Sequence, residues 1–365
     1  MGQSWLHATT LRDGIAAPAR APLPPAHGLP EAVRVGRGIR ASPMRRADLS
    51  AASRVANGLS HSAPLMADTP NQYDIQDPRT QYPKPPFPRQ PQDAPGTIEE
   101  MEPRPDHGEE SYRGLGRMKG RKALITGGDS GIGRATAIAY AREGAAVAIN
   151  YLPSEEQDAQ SLADLIEGEG GTIVRLPGDV RDEDFCEQLI ADAHDKLGGL
   201  DVLVINAGKQ VATDSILDIT TEQFDATYKT NVYAMFWLSK AAIPLLPPGG
   251  SIINVSSIQG YKPSEDLLDY ASTKWAIIGF TKALAKQVIE RGIRVNAVAP
   301  GPFWTPLQPS GGQPQEDVET FGEQVPMGRP GQPAEIAPVF VFLATQEAGY
   351  ITGEVMGVTG GDPTM

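Results

Sequence analysis

Apolar runs alternate with amphipathic segments from residue 122 to the end of the chain. Short apolar runs predict buried strands, and apolar residues at helical spacing predict the helices that cover them. Strands are predicted near residues 122–126, 146–150, 172–176, 201–205, 251–255, 293–298 and 354–358. Helices are predicted near residues 132–144, 155–169, 182–197, 222–243, 268–290 and 334–344. This alternation indicates an α/β fold with a doubly wound parallel sheet of about seven strands.

Prolines set the preceding part of the chain apart, since 17 of the 33 prolines fall at or before Pro105. Proline removes a backbone donor and fixes φ, so residues 66–117 are predicted to form an extended arm rather than helix or inner strand. A flexible tail is the alternative. Four aromatic residues favour an arm that lies along the body or a neighbouring subunit: Tyr73, Tyr82, Phe87 and Tyr112.

The first 65 residues form a leader with eight arginines, no lysine and three acidic residues, a formal charge of +5. Such composition also occurs in transit peptides, and Met44-Arg45-Arg46 faintly resembles a twin-arginine signal. No apolar run follows those arginines. We therefore interpret residues 1–65 as disordered or spurious, with Met66 as the expected start, and residues 118–365 as one domain.

Charge and cysteine usage exclude several classes of protein. The whole chain carries −13, so the part after the leader carries −18, which argues against a nucleic-acid partner. No run of 18 apolar residues predicts a membrane span. Cys186 is the only cysteine, which excludes an internal disulfide and favours a cytoplasmic location. The five histidines are scattered, so no metal site is expected.

Candidate chemistry centres on Tyr270 and Lys274, four residues apart on a predicted helix, with Ser257 thirteen residues upstream of the tyrosine. The i, i+4 spacing places both side chains on one helix face. A nearby ammonium group is expected to lower the pKa of the phenol from its usual value of about 10, so that the phenol can exchange a proton with an alcohol or carbonyl oxygen. Ser256 is the rival serine.

A glycine-rich turn follows the first predicted strand, in the order Gly127, Gly131 and Gly133. The first glycine permits the tight turn, the second permits backbone amides to approach a pyrophosphate, and the third permits close helix contact. The strand before and the helix after supply the context that this pattern requires.

With these motifs the chain resembles the short-chain dehydrogenase/reductase family over about residues 118–365. The resemblance rests on Thr126-Gly-Gly-Asp-Ser-Gly-Ile-Gly133, Asp179-Val180, Asn206-Ala-Gly208, Asn231, Ser257, Tyr270, Lys274 and Pro300-Gly-Pro-Phe-Trp-Thr305. It implies a Rossmann-like single domain. Within the family the chain is most similar to the general-stress-protein-like or aldehyde reductase branch, which also carries a proline-rich arm.

The resemblance implies a catalytic tetrad of Asn231, Ser257, Tyr270 and Lys274. It also implies cofactor contacts at Thr126, Gly127, Ser130, Gly131, Ile132, Gly133, Arg134, Asn150, Tyr151, Asp179, Val180, Asn206, Ala207, Gly208, Pro300, Gly301 and Thr305. Asn150 and Tyr151 stand where NAD-specific proteins place a carboxylate, so NADP is the expected cofactor, with Arg134 as the nearest cation and NAD also possible.

Residues 302–331 are rich in proline and glycine and are predicted to form a mobile lid over the substrate. Gln210, Gln259 and Trp304 are the candidate pocket walls, with Phe303 beside them. This mixed lining favours small aldehydes, polyols or sugars over steroids. Helices 222–243 and 268–290 resemble the pair that forms tetramers in the family.

The sequence therefore predicts an NADP(H)-dependent oxidoreductase that interconverts small aldehydes or ketones and alcohols. Two alternatives stay open: an NAD(P)-dependent sugar or polyol dehydrogenase, and a non-catalytic cofactor-binding stress protein.

Overall fold

The structure is a computed structural model that describes residues 69–364, so the predicted leader lies outside the described residues. The strands are β1 Lys122–Thr126, β2 Ala146–Tyr151, β3 Thr172–Pro177, β4 Val202–Ile205, β5 Ser251–Val255, β6 Arg294–Pro300 and β7 Val355–Val358. The helices are α1 Gly131–Arg142, α2 Glu156–Gly168, α3 Glu183–Leu197, α4 Thr221–Tyr228, α5 Ala234–Ala242, α6 Leu268–Val288, α7 Gln315–Glu319 and α8 Pro333–Ala344.

The seven strands form one parallel sheet in the order β3-β2-β1-β4-β5-β6-β7, so the predicted fold class is confirmed. Alternate side chains along β1 enter separate cores. Ala123 and Ile125 pack with α1, α2 and α8, whereas Leu124 packs with α3, α5 and α6 on the opposite face. Both faces of the sheet are therefore covered, as parallel sheets require.

The predicted helix 222–243 is interrupted. A π-helical turn, Lys229–Tyr233, separates α4 from α5. Asn231 lies in this turn, and its side-chain amide is hydrogen-bonded to the backbone of Lys209 and to Thr273. A side chain that competes for hydrogen bonds in this way favours a local break in the helix, and such breaks are frequent at functional sites.

The arm from residue 69 to 117 is extended and lies against the domain. Phe87 and Met101 form a small core with Trp304 and Val318, and the ring centroids of Phe87 and Trp304 are 4.3 Å apart. Tyr112 is buried in the core next to α1, whereas Tyr73 is half exposed. Apolar burial therefore anchors the arm in at least two places.

Glu143, at the end of α1, is the main polar anchor of the arm. Its buried carboxylate accepts hydrogen bonds from the Tyr112 hydroxyl at 2.8 Å, from the backbone amides of Leu115 and Arg117 at 2.9 Å, and from the Arg117 guanidinium. Burial alone would raise the pKa of Glu143, but these hydrogen bonds outweigh burial and lower the pKa to about 2. The stabilisation is thus present above about pH 4.5 and is lost as the pH falls towards 2.

No helix within residues 69–364 has the length and apolar character needed to cross a membrane.

We predict that Glu143→Ala lowers the free energy of unfolding by about 3 kcal/mol, because it leaves a partly buried guanidinium and two amides without their acceptor. Urea unfolding of the full chain at pH 7 measures this change. Glu169→Ala is the matched control, since that half-exposed carboxylate pairs with Arg142 at the surface, and its loss should cost under about 1 kcal/mol. Equal losses in both variants would contradict the role of Glu143 as an anchor.

Candidate active site

A cavity of about 670 Å³ opens at the carboxyl ends of the strands. Its walls come from the loops after β1, β2, β3, β4, β5 and β6. The strand order reverses between β1 and β4, because β2 and β3 extend the sheet on one side and β5 to β7 on the other. Such a reversal leaves a crevice in which open α/β sheets bind their ligands.

The glycine loop forms one wall. Gly127 and Gly131 have φ of 59° and 49°, a backbone conformation that glycine adopts without strain. Ser130, Gly131 and Ile132 line the cavity at the amino-terminal end of α1, where free amides and the helix dipole favour an anionic group. Gly133 lies behind the loop, since a Cβ there would stand 1.8 Å from the carbonyl oxygen of Gly127.

Two polar side chains tie the loops after β1 and β4 together. The Thr126 hydroxyl accepts hydrogen bonds from the amides of Asn206 and Ala207 at 3.0 and 3.1 Å. The Asn206 side chain donates to the carbonyl oxygens of Thr126 and Gly127 at 3.1 and 2.9 Å. Thr126 therefore supports the crevice from behind, whereas Asn206, Ala207 and Gly208 form part of its lining.

Residues at the carboxyl ends of β2 and β3 form another wall of the cavity. Asn150 donates its amide hydrogens to the carbonyl oxygens of Leu176 and Gly178, so it joins the two strand ends. The Tyr151 hydroxyl donates to Glu156 at 2.6 Å. Asp179 and Val180 also line the cavity, and the Asp179 carboxylate is paired with Arg181. The cap of α3 is Asp182, not Asp179.

Arg134 does not lie where the sequence predicts it, as a cation that faces the cavity and could contact a 2′-phosphate. Its guanidinium is 3% exposed and lies 3.1 Å from Glu109 of the arm, and it donates to Ser161 and to two backbone carbonyls. It does not line the cavity. The sequence could not show this pairing, because the carboxylate comes from the proline-rich arm.

Ser257, Tyr270 and Lys274 line the cavity from β5 and α6. The Lys274 ammonium donates to the carbonyl oxygen of Val255 at 2.9 Å and lies 5.1 Å from the centre of the Tyr270 ring. The Ser256 hydroxyl donates to the carbonyl oxygen of Lys274, which gives that serine a structural contact. Asn231 is buried behind this group, and a Cβ at Gly208 would stand 3.7 Å from both its Oδ1 and the Lys274 Nζ.

Burial, not charge pairing, dominates the pKa values of Tyr270 and Lys274. Burial raises the pKa of Tyr270 to about 12, and the neighbouring Ser257 hydroxyl opposes this rise. Burial lowers the pKa of Lys274 to about 7. The expectation that the lysine would lower the pKa of the tyrosine below its usual value is therefore not met. A fully buried ammonium loses hydration and becomes less charged itself.

The structure places two of the three predicted pocket residues at the cavity. Gln210 and Gln259 line the cavity, but their amide nitrogens donate to the Gly312 carbonyl and the Ser264 hydroxyl. Trp304, the third predicted pocket wall, does not line the cavity. Its indole is fully buried in the small core with Phe87 and donates to the carbonyl oxygen of Pro103 at 2.7 Å. The arm therefore turns Trp304 away from the cavity.

The remaining predicted contacts lie in the loop after β6. Pro300, Gly301, Phe303 and Thr305 line the cavity, and a Cβ at Gly131 would stand 3.2 Å from Thr305 Cγ2. The predicted lid lines the cavity on one side and packs against the arm on the other.

Sequence reasoning missed several lining residues. Asp129, Glu155 and residues 94–96 of the arm are among the residues that line the cavity. A charged residue between the glycines of the predicted nucleotide loop is a signal in the sequence that marks Asp129. No local pattern marked the arm residues.

A family model described as Enoyl-(Acyl carrier protein) reductase matches residues 127–362. The uncharacterised oxidoreductase YghA of Escherichia coli is 59% identical over 288 residues, which cover 79% of this chain and 98% of that protein. General stress protein 39 of Bacillus subtilis is 49% identical over 268 residues, which cover 73% of this chain and 93% of that protein. The crystal structure of a short-chain dehydrogenase from Burkholderia cenocepacia in complex with NADP is similar with a TM-score of 0.63 and 34% identity, covering 67% of this chain and 98% of that one.

We predict that Gly133→Ala disrupts the glycine loop, because a Cβ at this position overlaps backbone atoms that cannot move independently. We expect a loss of more than about 2 kcal/mol in the free energy of unfolding, together with loss of dinucleotide binding in calorimetry. Gly168→Ala is the matched control, since it lies at the end of α2 with open space around it and should be neutral or slightly stabilising. Normal binding by Gly133→Ala would contradict the proposed role of the loop.

Proposed function

The chain belongs to the short-chain dehydrogenase/reductase family, and from that premise we propose that it is an NADP(H)-dependent oxidoreductase that interconverts small aldehydes or ketones and alcohols. The observation that carries this proposal is a single cavity that is lined by both the glycine loop and Ser257, Tyr270 and Lys274. A protein that only binds a nucleotide needs no buried tyrosine and lysine at the end of that cavity.

The residues present fit a dinucleotide. Gly127 and Gly131 leave no side chain beside the start of α1, where residues 130–132 line the cavity and the end of the helix favours an anionic group. Asp129 presents a buried carboxyl oxygen that has no hydrogen-bond partner within residues 69–364. A pyrophosphate would be held at residues 130–132, the adenine at Asp179 and Val180, and the nicotinamide between Lys274 and the loop after β6.

Bound NADPH would supply the hydride. The chain's own residues would supply the proton and the orientation. Ser257 would donate a hydrogen bond to the substrate oxygen, and Tyr270 would donate the proton to it. The raised pKa of Tyr270 keeps the hydroxyl protonated near neutral pH, which suits the direction of carbonyl reduction.

Lys274 and Asn231 support this proton transfer. A lysine with a pKa near 7 can exchange protons at neutral pH, and its contact with the Val255 carbonyl fixes its position. Asn231 holds the backbone of Lys209 at 2.8 and 2.9 Å, and this segment leads into the cavity wall. We therefore propose Asn231 as a positioning residue for Lys274.

The lining favours small carbonyl compounds over sugars. The amide nitrogens of Gln210 and Gln259 each donate one hydrogen bond to a neighbouring loop, so part of their hydrogen-bonding capacity is used within the protein. Leu267, Phe303, Leu307 and Val325 contribute apolar surface to the cavity. Such a pocket binds the apolar part of an aldehyde or ketone and leaves its oxygen at the catalytic group.

We predict that Tyr270→Phe lowers kcat by about 10²- to 10⁴-fold, both with NADPH on aldehydes and ketones and with NADP⁺ on polyols and sugars, because the group that exchanges the proton is removed. Nicotinamide absorbance measures the rate, and the Kd for NADPH should change little. Tyr261→Phe is the control, since this nearby phenol lies outside the cavity lining. An unchanged rate in Tyr270→Phe would exclude the mechanism. Nucleotide binding without turnover on the whole panel would favour the non-catalytic alternative.

We also propose a homotetramer. Aromatic side chains on α5 and α6 are half exposed, namely Tyr233 beside α5, Phe236 and Trp275. Exposed aromatic clusters on helix faces are characteristic of protein interfaces.

We predict that Phe236→Glu shifts the protein from tetramers to dimers or monomers, because a charge would be buried at the helix face. Mass photometry measures the assembly. Leu217→Glu, in an exposed loop before α4, should leave the mass unchanged. A tetramer that survives Phe236→Glu, or a wild-type monomer, would contradict this assembly.

A further inference from the structure

The arm bridges two walls of the cavity. Residues 94–96 of the arm line the cavity, and the residues on either side of them are attached to the loop after β6 and to α2. We call residues 90–98 the strap. Because the strap is held at both ends and lines the cavity between them, it forms a wall that the sheet and its loops do not supply.

The strap contacts the loop after β6 at two points. The Gln92 amide donates a hydrogen bond to the carbonyl oxygen of Pro309 at 3.1 Å. Gly96 comes so close to the same loop that a Cβ at this position would stand 2.9 Å from the Pro306 carbonyl oxygen and 3.0 Å from the Ser310 Cβ. A residue without a side chain is therefore what permits this approach of two backbones.

The other end of the strap is attached to the first turn of α2. The Ile98 amide donates a hydrogen bond to the Asp158 carboxylate at 3.1 Å, and Ile98 is 2% exposed. Glu155, just before α2, lines the cavity, so this attachment lies beside a second wall. Within the strap, the Gln92 side chain accepts a hydrogen bond from the Thr97 amide at 2.8 Å, which links the two attachments.

The middle of the strap lies next to the place proposed for the pyrophosphate. Gly96 approaches Pro306, and the preceding residue, Thr305, approaches Gly131 so closely that a Cβ at Gly131 would stand 3.2 Å from the Thr305 Cγ2. Gly131 lies at the start of α1, where the end of the helix favours an anionic group. The segment Ala94-Pro95-Gly96 has no ionisable side chain, so it adds packing surface beside that position without a charge that would repel an anion.

On the premise of the proposed function, we propose that the strap is part of the nucleotide site and retains the dinucleotide in the cavity. A dinucleotide held at residues 130–132 would be enclosed by the glycine loop, the loop after β6 and the strap. Its release would then require the strap to detach from one of its two attachments. Contacts that must break before a ligand leaves act mainly on the rate of dissociation.

The first test is the dissociation rate of NADPH from the full chain, measured by stopped-flow fluorescence. We expect Gly96→Ala to raise this rate by about tenfold, because the added Cβ displaces the strap from the Pro306 carbonyl. Gly168→Ala is the matched control, since its Cβ meets open space at the end of α2, and it should release NADPH at the wild-type rate. A wild-type rate in Gly96→Ala would overturn the inference.

A second pair of variants tests the attachment to α2. Asp158→Ala removes the acceptor of the Ile98 amide and should accelerate NADPH release by about two- to tenfold, as expected for the loss of one hydrogen bond. Asp158→Asn keeps an acceptor oxygen and should restore slow release. Both variants lack the negative charge, so the pair separates the hydrogen bond from the charge. The same acceleration in both variants would contradict this attachment.

Hydrogen exchange of the wild-type protein tests the strap without any substitution. If the strap stabilises bound nucleotide, the nucleotide must stabilise the strap by the same free energy. With saturating NADP, the amides of residues 92–98 should therefore exchange several-fold more slowly than in the free protein. Residues 70–80 of the same arm lie outside the cavity lining and should exchange at an unchanged rate. Equal exchange of residues 92–98 with and without NADP would overturn the inference.

All of these measurements require nucleotide binding, so a strap that does not retain the nucleotide would leave the proposed function intact. Absence of NADPH and NADP binding by the wild-type chain would instead contradict the proposed function, and this inference with it.

Discussion

The link between the loops after β1 and β4 is the constraint on which the site depends. The crossovers from these two strands run to opposite sides of the sheet, so the chain itself does not hold their ends together. Thr126 and Asn206 hold them instead, through four hydrogen bonds that satisfy backbone groups on both sides. The crevice is open because the loops diverge, and it has a fixed shape because these two side chains restrain them.

Burial sets the chemistry within that crevice. The i, i+4 spacing of Tyr270 and Lys274 alone predicts an acidic phenol, because an ammonium group one helical turn away favours the phenolate. The fold removes both from water, which disfavours the charged form of each. A protonated phenol and a lysine that readily loses its proton result from the same enclosure. The two groups thus share a tendency towards neutrality, which the Ser257 hydroxyl opposes at Tyr270.

The sheet and most of the cavity lining could be predicted from the sequence because both depend on local information. Strand runs repeat at regular intervals, and glycine at 127 and 131 marks a turn that needs positive φ. Arg134 and Trp304 could not be placed correctly, since their partners lie on the arm: Glu109 is 25 residues from Arg134, and Pro103 is 201 residues from Trp304. No periodicity connects such pairs.

The arm therefore belongs to the electrostatics of the site as well as to its packing. Glu109 holds the Arg134 guanidinium beside the backbone of Asp129 and away from the cavity. If Arg134 were free of Glu109, its charge could approach the carboxyl of Asp129 and favour the ionised form. By engaging Arg134, the arm preserves a cavity wall of uncompensated acids. A segment that proline excludes from regular structure thus fixes the cation behind the glycine loop through Glu109, while its Phe87 packs against Trp304 in the loop after β6.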